Sequence, residues 1–188
     1  DGEIASRFAV DSIFELFQSQ DNFDILSAIS ETHSKLEKIG FGSSRPLGAT
    51  LVGLILTKNL VTIFSLGDSG CFHFNDNKLI NVTEGKKSPK IRSNIIENCL
   101  GGGLTMPVAS IIQRKFGVGD IFILTSDGVS DWLSKAVFKE CAQIQQRNRS
   151  EALCVNAARA GSGDDLSAIF IEIKSDDEII LGTLIADE

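Results

Sequence analysis

"ATLVGLILTKNLVTIFSLG", residues 49–67, carries the pattern on which the fold turns. Two apolar runs, 49–57 and 60–67, are separated only by Lys58-Asn59. Runs of this length rich in Val, Ile, Thr and Phe read as strands, and a two-residue break between them reads as a hairpin. Glycines interrupt the longest apolar stretch, Leu47 to Leu56. No run reaches the roughly 18–20 residues that a membrane-spanning helix needs, and nothing near residue 1 resembles a signal peptide.

The same texture continues downstream. "CFHFN" (71–75) and "KLINV" (78–82) flank Asp76-Asn77, a second hairpin. "ASIIQRKF" (109–116) and "IFILTS" (121–126) are joined by a Gly-Val-Gly-Asp turn, and "SAIFIEI" (167–173) and "EIILGTLI" (178–185) read as further strands. Helical spacing appears in separate blocks. Residues 4–19 carry Val10, Ile13, Phe14 and Phe17, and residues 22–38 carry Leu26, Ile29, His33 and Leu36 before a stop at Gly40. Residues 132–146 and 150–160 form two more helical stretches, the first opening at Trp132 after Val129. Helices in blocks and strands in runs favour α+β over an alternating βαβ sheet. Short turns imply antiparallel pairing, hence two sheets face to face with helices outside. The chain reads as a single domain over 1–188. The phenylalanine stripe belongs to the core, and His33 reads as a satisfied histidine at the core edge.

A net charge of −7 argues against a nucleic-acid surface, which normally shows a basic patch. Lys86, Lys87, Lys90 and Arg92 form one basic cluster, broken by Pro89. It reads as a solvated loop, with contact to an anionic substrate as the functional alternative. Cysteines at 71, 99, 141 and 154 show no C-x-x-C pair, and His73 follows Cys71 without zinc-ligand spacing. Buried thiols in a reducing, cytoplasmic setting are the simpler reading.

Three acidic turns adjoin apolar strands. Asp68 follows "VTIFSLG", Asp127 follows "IFILTS" and precedes Gly128, and Asp164-Asp165 precede "LSAIFIEI". In an antiparallel sandwich such turns can converge at one edge, where crowded carboxylates repel unless a cation sits among them. Hard divalent cations bound through oxygen are the natural remedy. Glycines at 67 and 128 leave room for oxygens to approach. Singly, "GDSG" and "SDG" are ordinary turn compositions. No G-x-S-x-G nucleophile and no P-loop lysine motif is present.

The order of motifs resembles a known family. "GEIASRFAV", "LGATLVGLIL", "FSLGDSGCFHF", "LINVT", "CLGGG", "VGDIFILTSDGVSDWLS" and "GSGDDLSAIFIEI" follow one another as in the metal-dependent serine/threonine protein phosphatases (type two C), especially compact bacterial members. The resemblance runs from Gly2 to about Ile173. It implies a four-layer αββα sandwich with pairs of antiparallel helices flanking two sheets, and two or three Mn²⁺ or Mg²⁺ ions at its edge. Asp127 and Asp164 would be ligands of the core pair, and Asp68 would help to hold a third ion. Gly128, Gly67 and Asp165 would shape the surrounding turns. No side chain would act as nucleophile, because a metal-bridging water attacks phosphorus. The substrate implied is a phosphoprotein carrying phosphoserine or phosphothreonine, acted on by a cytoplasmic monomer in signalling.

Departures from the family pattern bear on activity. The family places an Arg-containing strand and an Asp-Gly strand before the "GE-x-AS" helix, whereas here "GEIAS" starts at residue 2. Asp1-Gly2 is one reading of the metal-bridging pair, but Gly2-Glu3 fits the helix-opening motif better, so the N-terminal strands are expected to be missing from this sequence. Only Glu84 to Asn98 occupy the place of the family's flap. Gly70 stands where an arginine often follows "GDS", and Asp165 where asparagine is usual. The rival reading is a pseudophosphatase or cation-binding regulatory module that binds a phosphoprotein or partner without turnover.

Overall fold

Thr57 faces Leu60 across the first reversal, and the pairing continues back to Leu51 opposite Leu66. This is the expected hairpin, formed by β1 (Gly48–Thr57) and β2 (Leu60–Leu66). The computed structural model describes residues 2–19, 23–40, 47–58, 60–83, 98–103, 106–175 and 180–187. Asp1, the basic cluster from Lys86 to Arg92 and most of the flap stretch lie outside the described residues.

The second hairpin joins β3 (Gly70–Asn75) to β4 (Lys78–Asn81). Asp76 and Asn77 have φ of 46° and 59°, the two positive values that a type I′ turn demands and that Asn and Asp tolerate best. The remaining strands are β5 (Leu100–Gly101), β6 (Ser110–Lys115), β7 (Ile121–Thr125), β8 (Ala168–Glu172) and β9 (Ile180–Asp187). All observed pairings are antiparallel. One sheet runs β5-β1-β2-β6 with β9 also on β1, and the other runs β4-β3-β7-β8.

Side-chain alternation sorts the core into three layers. Val52, Leu54 and Leu56 of β1, Val61 and Ile63 of β2, Cys71 of β3, and Phe122 and Leu124 of β7 meet between the sheets. Ala49, Leu51, Phe64 and Leu66 face the other way, onto α1 (Gly2–Ser19) and α2 (Ile25–Gly40). Phe72, Phe74, Ile121 and Ile123 pack under α4 (Lys135–Gln143) and α5 (Arg149–Arg159). Phe72 and Phe138 have ring centroids 4.4 Å apart in that layer. The result is the expected four-layer αββα sandwich. Two covered faces explain why β1 and β7 are apolar along their length rather than alternating. Full burial of a side chain such as Leu54 or Phe122 contributes about 1.5–3 kcal/mol.

The helices depart from expectation in detail. The buried face of α1 is Ala5, Ala9, Ser12 and Ile13, while Phe14 is 44% exposed. Small residues let α1 approach α2 and β9 closely and turn the large ring outward, so the phenylalanine stripe is not a core stripe throughout. Phe17 instead meets Phe23 edge-on at 5.2 Å. In α2 the buried positions begin at Ile25 and Ala28, and Leu26 is exposed. Asp24 causes the later start, since its carboxylate accepts the Ser27 N–H at 3.0 Å, an N-cap arrangement. The stretch after β7 splits into a one-turn helix α3 (Asp127–Ser130), a turn and α4. Val129 is buried, but Trp132 lies in that turn and is half exposed, so it does not open a helix.

Candidate active site

Three strand termini coincide at one edge of the second sheet. Gly70, which opens β3, pairs with Thr125, which closes β7, and Thr125 pairs with Ala168, which opens β8. The chain segments just beyond these residues therefore leave the sheet side by side. They carry Asp68, Asp127 and Asp164-Asp165, the acidic turns read from the sequence.

The Asp127 and Asp164 turns are in direct contact. Ser126 donates its backbone N–H to the Ser167 carbonyl at 3.1 Å. Its hydroxyl donates to the Asp165 carbonyl at 3.2 Å and accepts the Ser167 N–H at 3.1 Å. Ser162 donates its hydroxyl to the Gly128 carbonyl at 2.8 Å. A Cβ added to Gly128 would lie 2.4 Å from the Asp165 oxygen and 3.0 Å from Asp164 Cβ. Glycine is thus required at 128 by close approach of the two loops. Asp127 is half-buried and Asp164 and Asp165 are exposed, with the Asp164 carboxylate accepting the Asp165 N–H at 3.0 Å.

Asp68 occupies the same edge but differs in environment. It is 5% exposed, and the adjoining Ser69 hydroxyl lies 2.9 Å from Thr50 Oγ1. Gly67 has φ of +92°, and a Cβ there would collide with the Thr50 side chain at 2.6 Å. Burial pushes the nearby Cys99 thiol up, and the negative charges of Glu37 and Asp68 add to that shift. Asp68 therefore sits on the β1 side of the edge. Among the described residues no three His, Cys, Asp or Glu side chains converge on a common point suited to an ion. The structure brings the Asp127 and Asp164 turns together and leaves Asp68 beside them.

The donor set suits a small divalent cation in kind. Both contacting turns present carboxylates, and ions such as Mg²⁺ are commonly held by one or two carboxylates with waters and phosphate oxygens completing the shell. Gly128 keeps the loops in contact without a side chain between them.

Neither histidine belongs to this edge. His33 is buried in α2, and its Nδ1 accepts the Gly101 N–H at 3.0 Å. That satisfies the ring at the core edge, as the sequence suggested, and fixes the "CLGGG" turn. His73 stacks on Phe122 at 4.6 Å and places Nε2 3.1 Å from the Asp120 carboxylate, at the opposite end of β3. Sequence reading missed Ser126 and Ser162, whose one visible signal is their position one and two residues before the aspartates in "TSDG" and "GSGDD".

No protein-family model matches the chain. It is 23% identical, over an alignment of 192 residues, to the serine/threonine protein phosphatase PstP of Mycobacterium tuberculosis. That alignment covers 87% of this chain and 36% of the relative, so the chain spans about a third of the curated proteins it matches. The crystal structure of the PstP catalytic domain in complex with two manganese ions superposes with a TM-score of 0.69 at 22% identity, covering 98% of this chain and 80% of that one. The serine/threonine phosphatase Stp1 of Staphylococcus aureus gives 0.77 at 18% identity, covering 93% and 79%. The chain is thus similar in sequence to PstP over most of its length and shares its fold with solved bacterial serine/threonine phosphatases.

Proposed function

We propose that the chain is the phosphatase fold of an enzyme that hydrolyses phosphoserine and phosphothreonine in proteins, dependent on Mn²⁺ or Mg²⁺. The observation that carries this reading is the contact between the Asp127-Gly128 and Asp164-Asp165 turns at the sheet edge. Asp127 and Asp164 would hold the ion from adjacent loops, with Asp68 serving a further ion from the β1 side. When bound, such an ion supplies a nucleophilic water at neutral pH and neutralises charge on the phosphoryl oxygens. The protein's own part is positional. Gly128 admits the close approach, the loop-to-loop bonds hold the aspartates, and the buried strands behind them keep the edge rigid.

The relatives' names point to phosphoproteins as the substrate class. No described helix is long and apolar enough to cross a membrane, and the four cysteines are free thiols. Free thiols suit a reducing compartment, and we place the protein in the cytoplasm as a monomer.

The test is hydrolysis of an aryl phosphate and of a phosphothreonine peptide, with Mn²⁺ and with chelator. Manganese-dependent turnover that chelator abolishes, and that Asp127→Ala reduces at least 100-fold, is the expected result. Phosphopeptide binding without manganese-dependent turnover would sink the enzyme reading in favour of a pseudophosphatase.

A further inference from the structure

We propose that Ser126 and Ser162 are positioning residues, a reciprocal pair of hydroxyl latches that fix the separation of Asp127 and Asp164 and thereby set the affinity for the divalent cation. The inference rests on the reading that these two aspartates share such an ion.

Ser126 stands at the N-cap position of α3, with φ −69° and ψ 165°, yet its hydroxyl makes no capping bond. Serine at an N-cap ordinarily accepts a backbone N–H from the first turn. Here the fully buried hydroxyl is turned to the neighbouring loop, where it uses its donor on the Asp165 carbonyl and an acceptor lone pair on the Ser167 N–H. Ser162 makes the opposite gesture, from the Asp164 loop to the Gly128 carbonyl. Each loop thus sends one hydroxyl to the backbone of the other.

The bonded groups lie one residue from each aspartate. Asp165 follows Asp164, and Gly128 follows Asp127. Ser126 also donates its backbone N–H to the Ser167 carbonyl in line with the β7–β8 pairing, and its hydroxyl takes the Ser167 N–H in return, so its side chain extends that register past the end of the sheet. Ser162 closes the far side of the contact, beyond Gly128. Between the latches the loops are already at touching distance, with no space for a Cβ at 128. Loosening either latch lets the carboxylates drift apart without altering a donor atom. Neither hydroxyl bonds to a carboxylate, so both act through the backbone.

The experiment measures manganese binding directly, by the free-ion electron paramagnetic resonance signal, in the wild type, Ser126→Ala, Ser162→Ala and the hydroxyl-retaining Ser162→Thr. Ser162→Ala should bind Mn²⁺ roughly tenfold more weakly, the scale of one lost hydrogen bond, and Ser126→Ala, which loses two, at least as weakly. Ser162→Thr should recover most of the loss. At saturating manganese, the KM for an aryl phosphate should stay within about twofold, because the hydroxyls do not meet the substrate. Melting temperatures in chelator separate folding from metal affinity. If Ser126→Ala fails to fold, the half-buried Ser162 and its threonine variant carry the test alone. Alanine variants that melt lower in chelator but bind Mn²⁺ as the wild type does would overturn the latch and leave the proposed function standing. A wild-type protein that binds no Mn²⁺ would overturn both.

Discussion

Replacing Gly128 by alanine tests the loop contact most sharply. The new Cβ would lie 2.4 Å from the Asp165 carbonyl oxygen, where ordinary contact begins near 3.4 Å. The deficit is therefore about 1 Å against a backbone atom, which cannot swing aside as a flexible side chain would. Overpacking of this kind costs about 1–3 kcal/mol. The upper end applies, because separating the loops also stretches the bonds from Ser126 and Ser162. For a domain of this size about 3 kcal/mol lowers the melting temperature by about 6–12 °C. On the proposed function, a carboxylate displaced by about 1 Å costs on the order of 100-fold in rate. Gly163→Ala is the matched control, since a Cβ there meets nothing within 4 Å, and its stability should be unchanged or rise by less than about 1 kcal/mol. Thermal unfolding and manganese-dependent aryl phosphate hydrolysis measure the two consequences. A Gly128→Ala protein that melts within a degree of Gly163→Ala and keeps full turnover would refute the close contact.

Two further outcomes follow from groups outside that edge. Burial pushes the Cys71 thiol up to about 12, so between the ordinary thiol range near 8.5 and that value the unfolded chain ionises while the folded one keeps its proton. Stability is then fully present below about pH 8.5 and falls by about 1.4 kcal/mol per pH unit above it. Cys71→Ala should have a shallower decline in denaturant unfolding between pH 8 and 10, and equal slopes would count against the assignment. Arg149, almost fully buried, donates Nε to the Ile144 carbonyl at 3.2 Å and a terminal nitrogen to Glu172 at 3.0 Å. Arg149→Ala should cost about 2–3 kcal/mol, with part recovered by adding Glu172→Gln, and should leave manganese affinity unchanged. A loss below about 0.5 kcal/mol would mean that the pair contributes no more than an exposed one.

What the sequence made legible was local or periodic. Asp76-Asn77 announces its hairpin through residue chemistry alone, and the apolar runs of β1 and β7 mark strands covered on both faces. β5 escaped, because two residues inside "CLGGG" carry no period and pair with Gly48 and Ala49 only through the tertiary fold. Phe14 misled because hydrophobicity was read without size, and Leu26 because the Asp24 cap sets a different buried face from Ile25 onward. α1 buries alanines where close approach matters and leaves the larger ring outside. At the candidate site the aspartates could be picked out, since carboxylates at strand ends are conspicuous. The serines could not, for their partners lie 34 and 39 residues away along the chain.

The place of β1 has a consequence for synthesis. Thr50 pairs with Asp187 and Thr57 with Ile180, so one flank of this deeply buried strand is filled by a segment translated long after it. At about 5–20 residues per second, the ribosome takes roughly 6–25 s to bridge that interval. During that time the β1–β2 hairpin presents an apolar ribbon with open backbone groups, the kind of edge that recruits other nascent chains. Shielding by chaperones should therefore matter most in this window, and ribosome stalling before the codon for Ile180 should yield aggregates that release downstream of it does not.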